Sequence, residues 1–317
     1  MPKIEIIRDS TQISSFLDCK QLWSYEHKEH LQLTMAKPND AMRMGSYGHE
    51  MLEIYYKMRA QGYNINDSLE RALVWNPDEE FCVCGHGLKN HYKVDAVNHW
   101  CTLCLGEVVC HPFNATTYPL DNDKRNIVRE RLQNYTFRYA NDDFIPTSPD
   151  HVEVGFSHKL FESSDRLYIL EGKMDLLMNH RGLSTWCDHK FQLSAHELYP
   201  KDIQFRNYDL VAQSAVACIN YIRLTKKFDE STYVRRWFGF SIVERQFWHR
   251  RLISIYDKMF EIEQRGLTPN DYNWGMCKGK WGTNCAFTSL CEESYLPNVV
   301  KNKKAQLYHV KPMWKPW

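Results

Sequence analysis

The sequence has little net charge, because its 317 residues include 40 lysines and arginines against 39 aspartates and glutamates, a balance of +1. A basic field that would attract nucleic acid over the whole surface is therefore excluded, and any contact with nucleic acid must come from local patches. The sequence also lacks a run of about 18 apolar residues, which excludes an ordinary transmembrane helix. Its start has no apolar stretch typical of a secretory signal. We therefore expect a cytoplasmic protein without a membrane partner.

The apolar content is sufficient for a large core, with 43% hydrophobic and 14% aromatic residues. The length suits one domain that carries an insertion. The eleven cysteines are an odd number, which argues against a simple disulfide framework, and in a reducing compartment clustered cysteines are better interpreted as metal ligands. Two clusters lie at residues 82–110 and 277–291. Cys187 and Cys218 lie in apolar surroundings and are predicted to be small buried side chains.

A central stretch, residues 171–208, holds an unusual concentration of polar motifs. Residues 166–170 and 183–187 are apolar or β-branched and are predicted to be strands, separated by a hairpin-like turn at residues 179–182. Further strands are predicted to begin at residue 152 and to cover residues 232–243. Helical patterns are predicted at five places, namely residues 10–28, 44–59, 123–140, 203–225 and 245–264.

Two acids and a lysine accompany the central strands. Asp175 and Asp188 are predicted near adjacent strand positions, and Lys190 follows two residues after the second acid. Because side chains alternate along a strand, Asp188 and Lys190 point to the same face. Two carboxylates and an ammonium on one face suit a hard divalent cation beside an activated water. The Asp-x-Lys triplet alone is better explained as surface charge on a hairpin, because a short motif often occurs by chance.

Three other polar positions flank these acids. His49 follows Gly45 and Gly48, which permit close backbone approach, although a lone histidine is more often structural. Gln204 and Tyr208 are four residues apart on a predicted helix and therefore share a face. A tyrosine at this spacing is most often part of the core.

The order of these residues resembles that of the PD-(D/E)XK nucleases, and in particular their RecB-type branch. The resemblance rests on four motifs, which are Gly45-x-x-x-His49, Gly172-x-x-Asp175, Asp188-x-Lys190 and Gln204-x-x-x-Tyr208. It implies one α/β nuclease domain over residues 1–317, with a central mixed β-sheet flanked by helices as in restriction endonucleases. It also implies a metal-dependent DNA nuclease that hydrolyses phosphodiester bonds.

The same resemblance implies a role for each residue of the first three motifs. Asp175, Asp188 and Lys190 are expected to be catalytic. His49, Asp175 and Asp188 are expected to bind one or two Mg²⁺ or Mn²⁺ ions, with the carbonyl of His189 as a further ligand. Lys190 is expected to orient or help deprotonate the attacking water and to offset charge on the phosphate.

The resemblance also extends to the substrate. Residues that match Gln204 and Tyr208 position DNA and the active site in this family. Glu153 lies where many RecB-type nucleases have an acid, but we assign it no ligand role and expect it to orient Lys190 or the waters of the metal. Relatives with iron–sulfur clusters mostly act on single-stranded DNA ends. We therefore expect an exonuclease for such ends in recombination, repair or phage DNA processing, with a helicase or recombination partner that the sequence does not identify.

An alternative from a different class is a non-catalytic DNA-binding or partner-binding module that keeps the nuclease fold. The intact acidic motifs argue against it, because a scaffold gains nothing from clustered acids without compensating charge. A zinc-finger regulator is a third possibility. It would need a recognition helix behind the Cys101-x-x-Cys104 pair, and the residues that follow do not supply one.

A cysteine site is expected between the two ends of the chain. Cys277, Cys285 and Cys291 lie within 15 residues, which leaves a metal one thiolate short, and Cys19 is the candidate fourth ligand. The segment around Cys19 resembles the opening of iron–sulfur RecB-type nucleases, which implies a [4Fe-4S] cluster that staples the N-terminal helix to the C-terminal loop. Seven residues separate Cys277 from Cys285 where those relatives have two. Zinc bound by the same four cysteines is the alternative.

A second metal site is expected in an insertion at residues 78–115. Its cysteines and histidines have the spacing of a structural zinc site and resemble the small Cys-x-Cys-Gly-His zinc modules of prokaryotic and phage proteins. The preferred Zn²⁺ ligands are Cys84, His91, Cys101 and Cys104. The reserve ligands are Cys82, His86 and Cys110.

Overall fold

The computed structural model describes residues 3–33, 40–74, 91–93, 98–101, 106–109, 120–141, 144–193, 202–225, 228–278 and 284–311. The strands, in chain order, are β1 (Ile4–Arg8), β2 (Leu31–Leu33), β3 (His91–Lys93), β4 (Asn98–Cys101), β5 (Gly106–Val109), β6 (Val152–Glu162), β7 (Arg166–His180), β8 (Leu183–Gln192), β9 (Val216–Arg223), β10 (Tyr233–Phe238) and β11 (Tyr308–Val310). The α-helices are α1 (Ser10–Asp18), α2 (Lys20–Trp23), α3 (Asp40–Ala60), α4 (Ile65–Leu73), α5 (Asn122–Arg138), α6 (Ile203–Ala212), α7 (Ile242–Arg265), α8 (Thr288–Glu292) and α9 (Pro297–Leu307). Within these residues, no helix combines the length and the apolar character needed to cross a membrane.

A mixed sheet of six strands forms the centre of the fold. β1 pairs parallel with the first part of β7, β6 pairs antiparallel with β7, and β8 pairs antiparallel with its last part. β9 pairs parallel with β8, and β10 pairs antiparallel with β9. These pairings make the sheet mixed, as the sequence predicts.

Both faces of this sheet are buried. The consecutive residues Trp186 and Cys187 of β8 belong to different hydrophobic clusters, because successive side chains of a strand point to opposite faces. One cluster packs α1, α6 and α7 against the sheet, and the other packs α3, α4 and α5. The predicted α/β fold, a central mixed sheet flanked by helices, is therefore confirmed. Cys187 and Cys218 are both fully buried, as predicted.

β7 and β8 form the predicted hairpin around a two-residue turn. Arg181 and Gly182 have φ values of 50° and 80°, and positive φ at both central residues is the pattern that matches the twist of paired strands. Both strands are longer than predicted, since β7 ends at His180 and β8 at Gln192. The two acid motifs consequently lie inside strands, where the sheet fixes their side chains.

The predicted helix over residues 203–225 is wrong in its second half. α6 ends at Ala212, Gln213 adopts a left-handed conformation with φ 48°, and Val216–Arg223 forms strand β9. The sequence of β9 is a nearly continuous apolar run buried on both faces, and such a run is compatible with either a buried helix or a buried strand. The strand predicted over residues 232–243 is also too long, because Ser241 caps α7 through a capping box with Glu244.

The predicted helix over residues 10–28 is broken at Cys19. α1 ends at Asp18, Cys19 has extended backbone angles (φ −159°, ψ 119°), and α2 continues into a π-helical turn, Ser24–Lys28. A third hydrophobic cluster joins this region to the C-terminal part of the chain, and β2 pairs with β11. Cys19 therefore lies between two helices, at an extended residue, rather than in the middle of one helix.

Little of the predicted zinc insertion falls within the described residues. Cys82, Cys84, His86, Cys104 and Cys110 lie outside them. The backbone of β3, β4 and β5 forms a small antiparallel sheet, whose register pairs His91 with Cys101.

Candidate active site

The acidic centre lies where β7 passes the side of α3. The Nδ1 atom of His49, on α3, is 3.4 Å from Oδ2 of Asp175, on β7. The same carboxylate oxygen accepts a 2.6 Å hydrogen bond from the backbone N–H of His189. Asp175 is thereby held between a helix and the neighbouring strand.

Two motif glycines permit this approach of the elements. A Cβ atom on Gly48 would lie 2.5 Å from the ring of Phe191 on β8, so only glycine lets α3 pack this closely beside the strand. A Cβ atom on Gly172 would overlap the ring of Phe156 on β6. Packing around the acidic centre therefore explains Gly48, inside the first motif, and Gly172, of the second motif. It does not explain Gly45, where a Cβ atom would lie 3.9 Å from Phe191, an ordinary contact distance.

Glu153 completes a group of three potential metal ligands. One ligand atom each from His49, Glu153 and Asp175 lies within 4.8 Å of the others. Glu153 is largely buried, with 15% of its side chain exposed, and Lys173 lies 2.6 Å from its carboxylate. Sequence reasoning gave Glu153 no ligand role; the signal that points to it is its position in the strand preceding the Gly172-x-x-Asp175 motif.

Asp188 lies beside this group, but the three ligand atoms within 4.8 Å of one another belong to His49, Glu153 and Asp175. Its side chain is 1% exposed, and Lys190 Nζ is 2.7 Å from its Oδ2 atom. That oxygen makes no hydrogen bond of satisfactory geometry within the described residues. A buried carboxylate oxygen in this condition fits a nearby cation.

The electrostatics of the acids also fit a divalent cation. Burial raises the pKa of Asp175, and it raises the pKa of Asp188 to about 6 even though Lys190 opposes the shift. Burial and the charge of Asp175 raise the pKa of Glu153. Burial and the charge of Lys190 lower the pKa of His49, which favours the neutral imidazole that binds metals. A divalent cation would relieve the cost of keeping these carboxylates charged.

Lys190 is held in its charged form. Burial opposes the charge of its ammonium group, but the neighbouring Asp188 and Asp175 raise its pKa overall. Its Nζ atom donates a 3.2 Å hydrogen bond to Gln204 and lies 5.6 Å from the centre of the Phe205 ring. The ammonium group is therefore fixed beside the acids and is positively charged.

Gln204 and Tyr208 share a face of α6, as predicted, and they connect Lys190 to β7. The Gln204 side-chain amide donates a 2.7 Å hydrogen bond to the hydroxyl of Tyr208. That hydroxyl donates a 2.6 Å hydrogen bond to the carbonyl of Lys173. Tyr208 is buried, and the pair lies between Lys190 and the backbone of β7.

The side chain of His189 lies in a buried polar network that sequence reasoning missed. Its Nδ1 atom is 2.8 Å from the amide nitrogen of Asn220, and its ring stacks on Tyr56 with centroids 5.4 Å apart. The hydroxyl of Tyr135 lies 2.8 Å from the Tyr56 hydroxyl and accepts hydrogen bonds from Asn220 (3.0 Å) and Arg235 (2.8 Å). This network links β8 and α3, the two elements that hold Asp188 and His49.

The four cysteines predicted to bind a cluster, Cys19, Cys277, Cys285 and Cys291, lie close enough for their charges to act on one another. The backbone N–H of Cys285 donates a 2.7 Å hydrogen bond to the carbonyl of Cys277. Burial and the charges of Cys19, Cys285 and Cys277 raise the pKa of Cys291 to about 12.

The chain is similar to solved structures and to one family model. No curated protein has a matching sequence. The solved structures that are similar to this chain include two at low identity. The protein SSO0001 shares 12% identity, with 54% of this chain and 71% of that chain covered and a TM-score of 0.31. A proposed exonuclease from Eubacterium rectale shares 10% identity, with 90% and 86% covered and a TM-score of 0.41.

The family model of the PD-(D/E)XK nuclease superfamily matches residues 10–292. This range contains all four motifs identified from the sequence, the five strands β6 to β10 of the central sheet and every helix of the two main clusters. The sixth strand of the sheet, β1, precedes it. The match covers far more than half of the chain, and the chain therefore belongs to the PD-(D/E)XK nuclease superfamily.

Proposed function

We propose that this protein is a metal-dependent deoxyribonuclease that hydrolyses phosphodiester bonds at the ends of single-stranded DNA. The observation that carries the proposal is the convergence of His49, Glu153 and Asp175 within 4.8 Å, next to the buried ion pair of Asp188 and Lys190. Clustered carboxylates, an imidazole and a fixed ammonium group are the parts that metal-assisted hydrolysis requires.

The metal would be Mg²⁺ or Mn²⁺, because oxygen ligands predominate. Asp175, Glu153 and His49 would hold it, with Asp188 and the carbonyl of His189 as neighbouring ligands. When bound, the ion supplies Lewis-acid chemistry at the scissile phosphate. The inclusion of Glu153 extends the ligand set inferred from the sequence.

The chain's own groups perform the remaining tasks. The Lys190 ammonium group orients the attacking water and offsets the negative charge that develops on the phosphate. Gln204 and Tyr208 hold that ammonium group in place through their hydrogen bonds. The backbone N–H of His189 holds the Asp175 carboxylate, so the acid and the lysine are oriented before substrate binds.

The RecB-type motif order supports single-stranded ends as the substrate and recombination, repair or phage DNA processing as the setting. The charges of Cys19, Cys285 and Cys277 act on Cys291, and this proximity supports one metal site that joins the two ends of the chain, for which we propose a [4Fe-4S] cluster. The cross-strand pairing of His91 with Cys101 supports a separate structural zinc in residues 78–115.

The proposal is tested by incubating purified protein with end-labelled linear and circular single-stranded DNA in Mn²⁺ or Mg²⁺. We expect mononucleotides or short fragments from the linear strand only, and at least about a hundredfold loss of the rate in Asp188→Asn and Lys190→Ala. Lys159→Ala is a matched control, because Lys159 is 64% exposed and pairs only with Glu162 among the residues described.

Three results would contradict the proposal in whole or in part. Cleavage at the wild-type rate in either active-site variant would remove the residue assignment. DNA binding without cleavage under any metal condition would favour the alternative, a non-catalytic module with the nuclease fold. Cleavage of the circular strand would retain the nuclease and exclude an end-dependent mode of action.

A further inference from the structure

A cleft of about 390 Å³ lies away from the acidic centre, between the π-helical turn after α2 and helix α9. Its lining includes two aromatic residues, Tyr25 and Tyr272, and two basic residues, Lys301 and Lys304. Its volume is within the range of small-molecule sites in proteins. None of these four residues belongs to the catalytic machinery described above.

The basic side of the cleft is one face of α9. Pro297, Val300, Lys301 and Lys304 follow the i, i+3, i+4 and i+7 spacing that aligns side chains on a helix. Lys304 donates a 2.5 Å hydrogen bond to Glu29. Lys301 is exposed, and no described carboxylate forms an ion pair with it. Lys301 therefore offers an available positive charge at the cleft, whereas Glu29 offsets the charge of Lys304.

The beginning of α9 also borders the cleft. Ser294 and Pro297 line it, and the first turn of the helix has no side-chain cap and no acidic residue. The backbone N–H groups and the positive end of the helix dipole there favour an anion. They add to the charge of Lys301 at the same end of the cleft.

The cleft also has aromatic residues in and beside its lining. Tyr25 is buried, and the Lys304 ammonium group lies 4.8 Å from its ring centre. Tyr272 is half-buried, and Trp274, which is 53% exposed, packs edge-on against it with centroids 5.6 Å apart. Tyr295, next to Ser294, is 75% exposed. Aromatic rings combined with lysines are the surface on which proteins stack the bases and hold the phosphates of a single strand.

We infer that this cleft binds one nucleotide unit, with its base against Tyr272 and its phosphate near Lys301 and the start of α9. The unit comes from the DNA strand whose end reaches the acidic centre, and in this respect the inference rests on the proposed function. A free nucleoside monophosphate has the same chemistry. The experiment below separates these two sources.

Binding of a fluorescently labelled oligothymidylate, twelve nucleotides long, to the full-length protein is measured at low salt. EDTA is present so that cleavage does not interfere. We expect Lys301→Ala and Tyr272→Ala each to weaken binding about fivefold or more. Lys303→Ala is the matched control, because Lys303 is on the same helix but pairs with Glu293 at 2.7 Å and does not line the cleft. Tyr272→Phe, which keeps the ring, should bind as the wild type does.

Competition identifies the bound unit. If thymidine monophosphate displaces the oligonucleotide from the wild type but not from Tyr272→Ala, the cleft also accepts a free nucleotide. If thymidine monophosphate does not displace the oligonucleotide, the cleft binds a nucleotide only as part of a strand. Inorganic phosphate that competes as well as the nucleotide would overturn the inference, because the base would then contribute nothing.

Two further results would also overturn it. One is equal weakening in Lys301→Ala and Lys303→Ala, which would indicate non-specific attraction by positive charge. The other is unchanged binding in both cleft variants with folding verified by circular dichroism. These measurements do not require cleavage, so a protein that binds through the cleft but never cleaves would refute the proposed function and leave the cleft assignment intact.

Discussion

Glu153 lies directly opposite Asp175 in the antiparallel pair of β6 and β7, although the two residues are far apart in the sequence. Val152 pairs with Leu176 and Val154 with Met174, which sets the register between them. Glu153 also has a positive φ of 57°, an uncommon conformation for a residue with a side chain. Backbone strain of this kind persists where the surrounding structure imposes it, and it is often found at functional sites.

The first prediction concerns this glutamate. Glu153→Gln keeps the size of the side chain but removes its charge, so we expect weaker binding of the divalent ion and about a tenfold or greater loss of cleavage that is partly recovered at high Mn²⁺. The measurement is the cleavage rate as a function of Mn²⁺ concentration. Glu162→Gln, on the same strand and paired with surface lysines, should behave as the wild type. An unchanged Mn²⁺ dependence in Glu153→Gln would show that Glu153 is not a ligand.

The second prediction concerns the hydroxyl of Tyr135, which joins Tyr56, Asn220 and Arg235. Tyr135→Phe leaves these buried groups without one partner, so we expect a loss of about 1–2 kcal/mol in the free energy of unfolding. Because the network holds β8 and α3, kcat should fall about tenfold while the KM for DNA stays nearly constant. Steady-state kinetics and urea unfolding provide the two measurements.

Tyr233→Phe is the control for this network. Its hydroxyl is also buried, and it donates a 2.7 Å hydrogen bond to the carbonyl of Arg131, but it makes no contact with His189. We expect a similar loss of stability with normal kcat. An equal loss of kcat in both variants would show that the Tyr135 hydroxyl affects activity only through general stability.

Local sequence patterns predicted the parts of the site that depend on neighbours in the chain. The turn at Arg181 and Gly182 and the shared face of Gln204 and Tyr208 follow from short-range geometry, and both are present. The positions of Glu153 and Asn220 depend on the register between paired strands, β6 with β7 and β8 with β9, which residue spacing does not reveal. Asn220 was further hidden because the apolar run around it is equally typical of a buried helix. Prediction of the site therefore stopped where tertiary contacts determine which side chains meet.

The third prediction identifies the metal of the four-cysteine site. We expect protein purified without oxygen to be brown and to contain iron, and Cys19→Ser or Cys291→Ser to lose both the visible absorption and the iron. Zinc bound by residues 78–115 should stay constant in these variants. Cys218→Ala is the control, because Cys218 is buried in the central sheet and should keep the colour. Colourless wild-type protein whose zinc content falls in Cys19→Ser would instead identify the site as a zinc site.

The fourth prediction concerns Asp271, which ties the end of α7 to the start of α2. Its side chain is only 4% exposed, and it binds Arg265 through two 2.8 Å hydrogen bonds and Lys20 at 3.0 Å. It also accepts hydrogen bonds from the backbone N–H and the hydroxyl of Thr268. The guanidinium of Arg265 is the main cause that holds the pKa of this carboxyl far below its ordinary value. The charged carboxylate is therefore the form that stabilises the folded chain.

A pKa lowered by folding fixes the sign of the pH dependence. The stabilisation is fully present above the pKa of the unfolded aspartate, about 3.9, and is lost as the pH falls towards the lower pKa of the folded state. Asp271→Asn should therefore cost about 2 kcal/mol of unfolding free energy at pH 7, and the difference from the wild type should shrink below about pH 4. Urea unfolding at pH 7, 5 and 3.5 measures it, with Asp165→Asn as the control because Asp165 is 65% exposed. A difference that stays constant over this pH range would mean that Asp271 stabilises the junction by its shape and not by its charge.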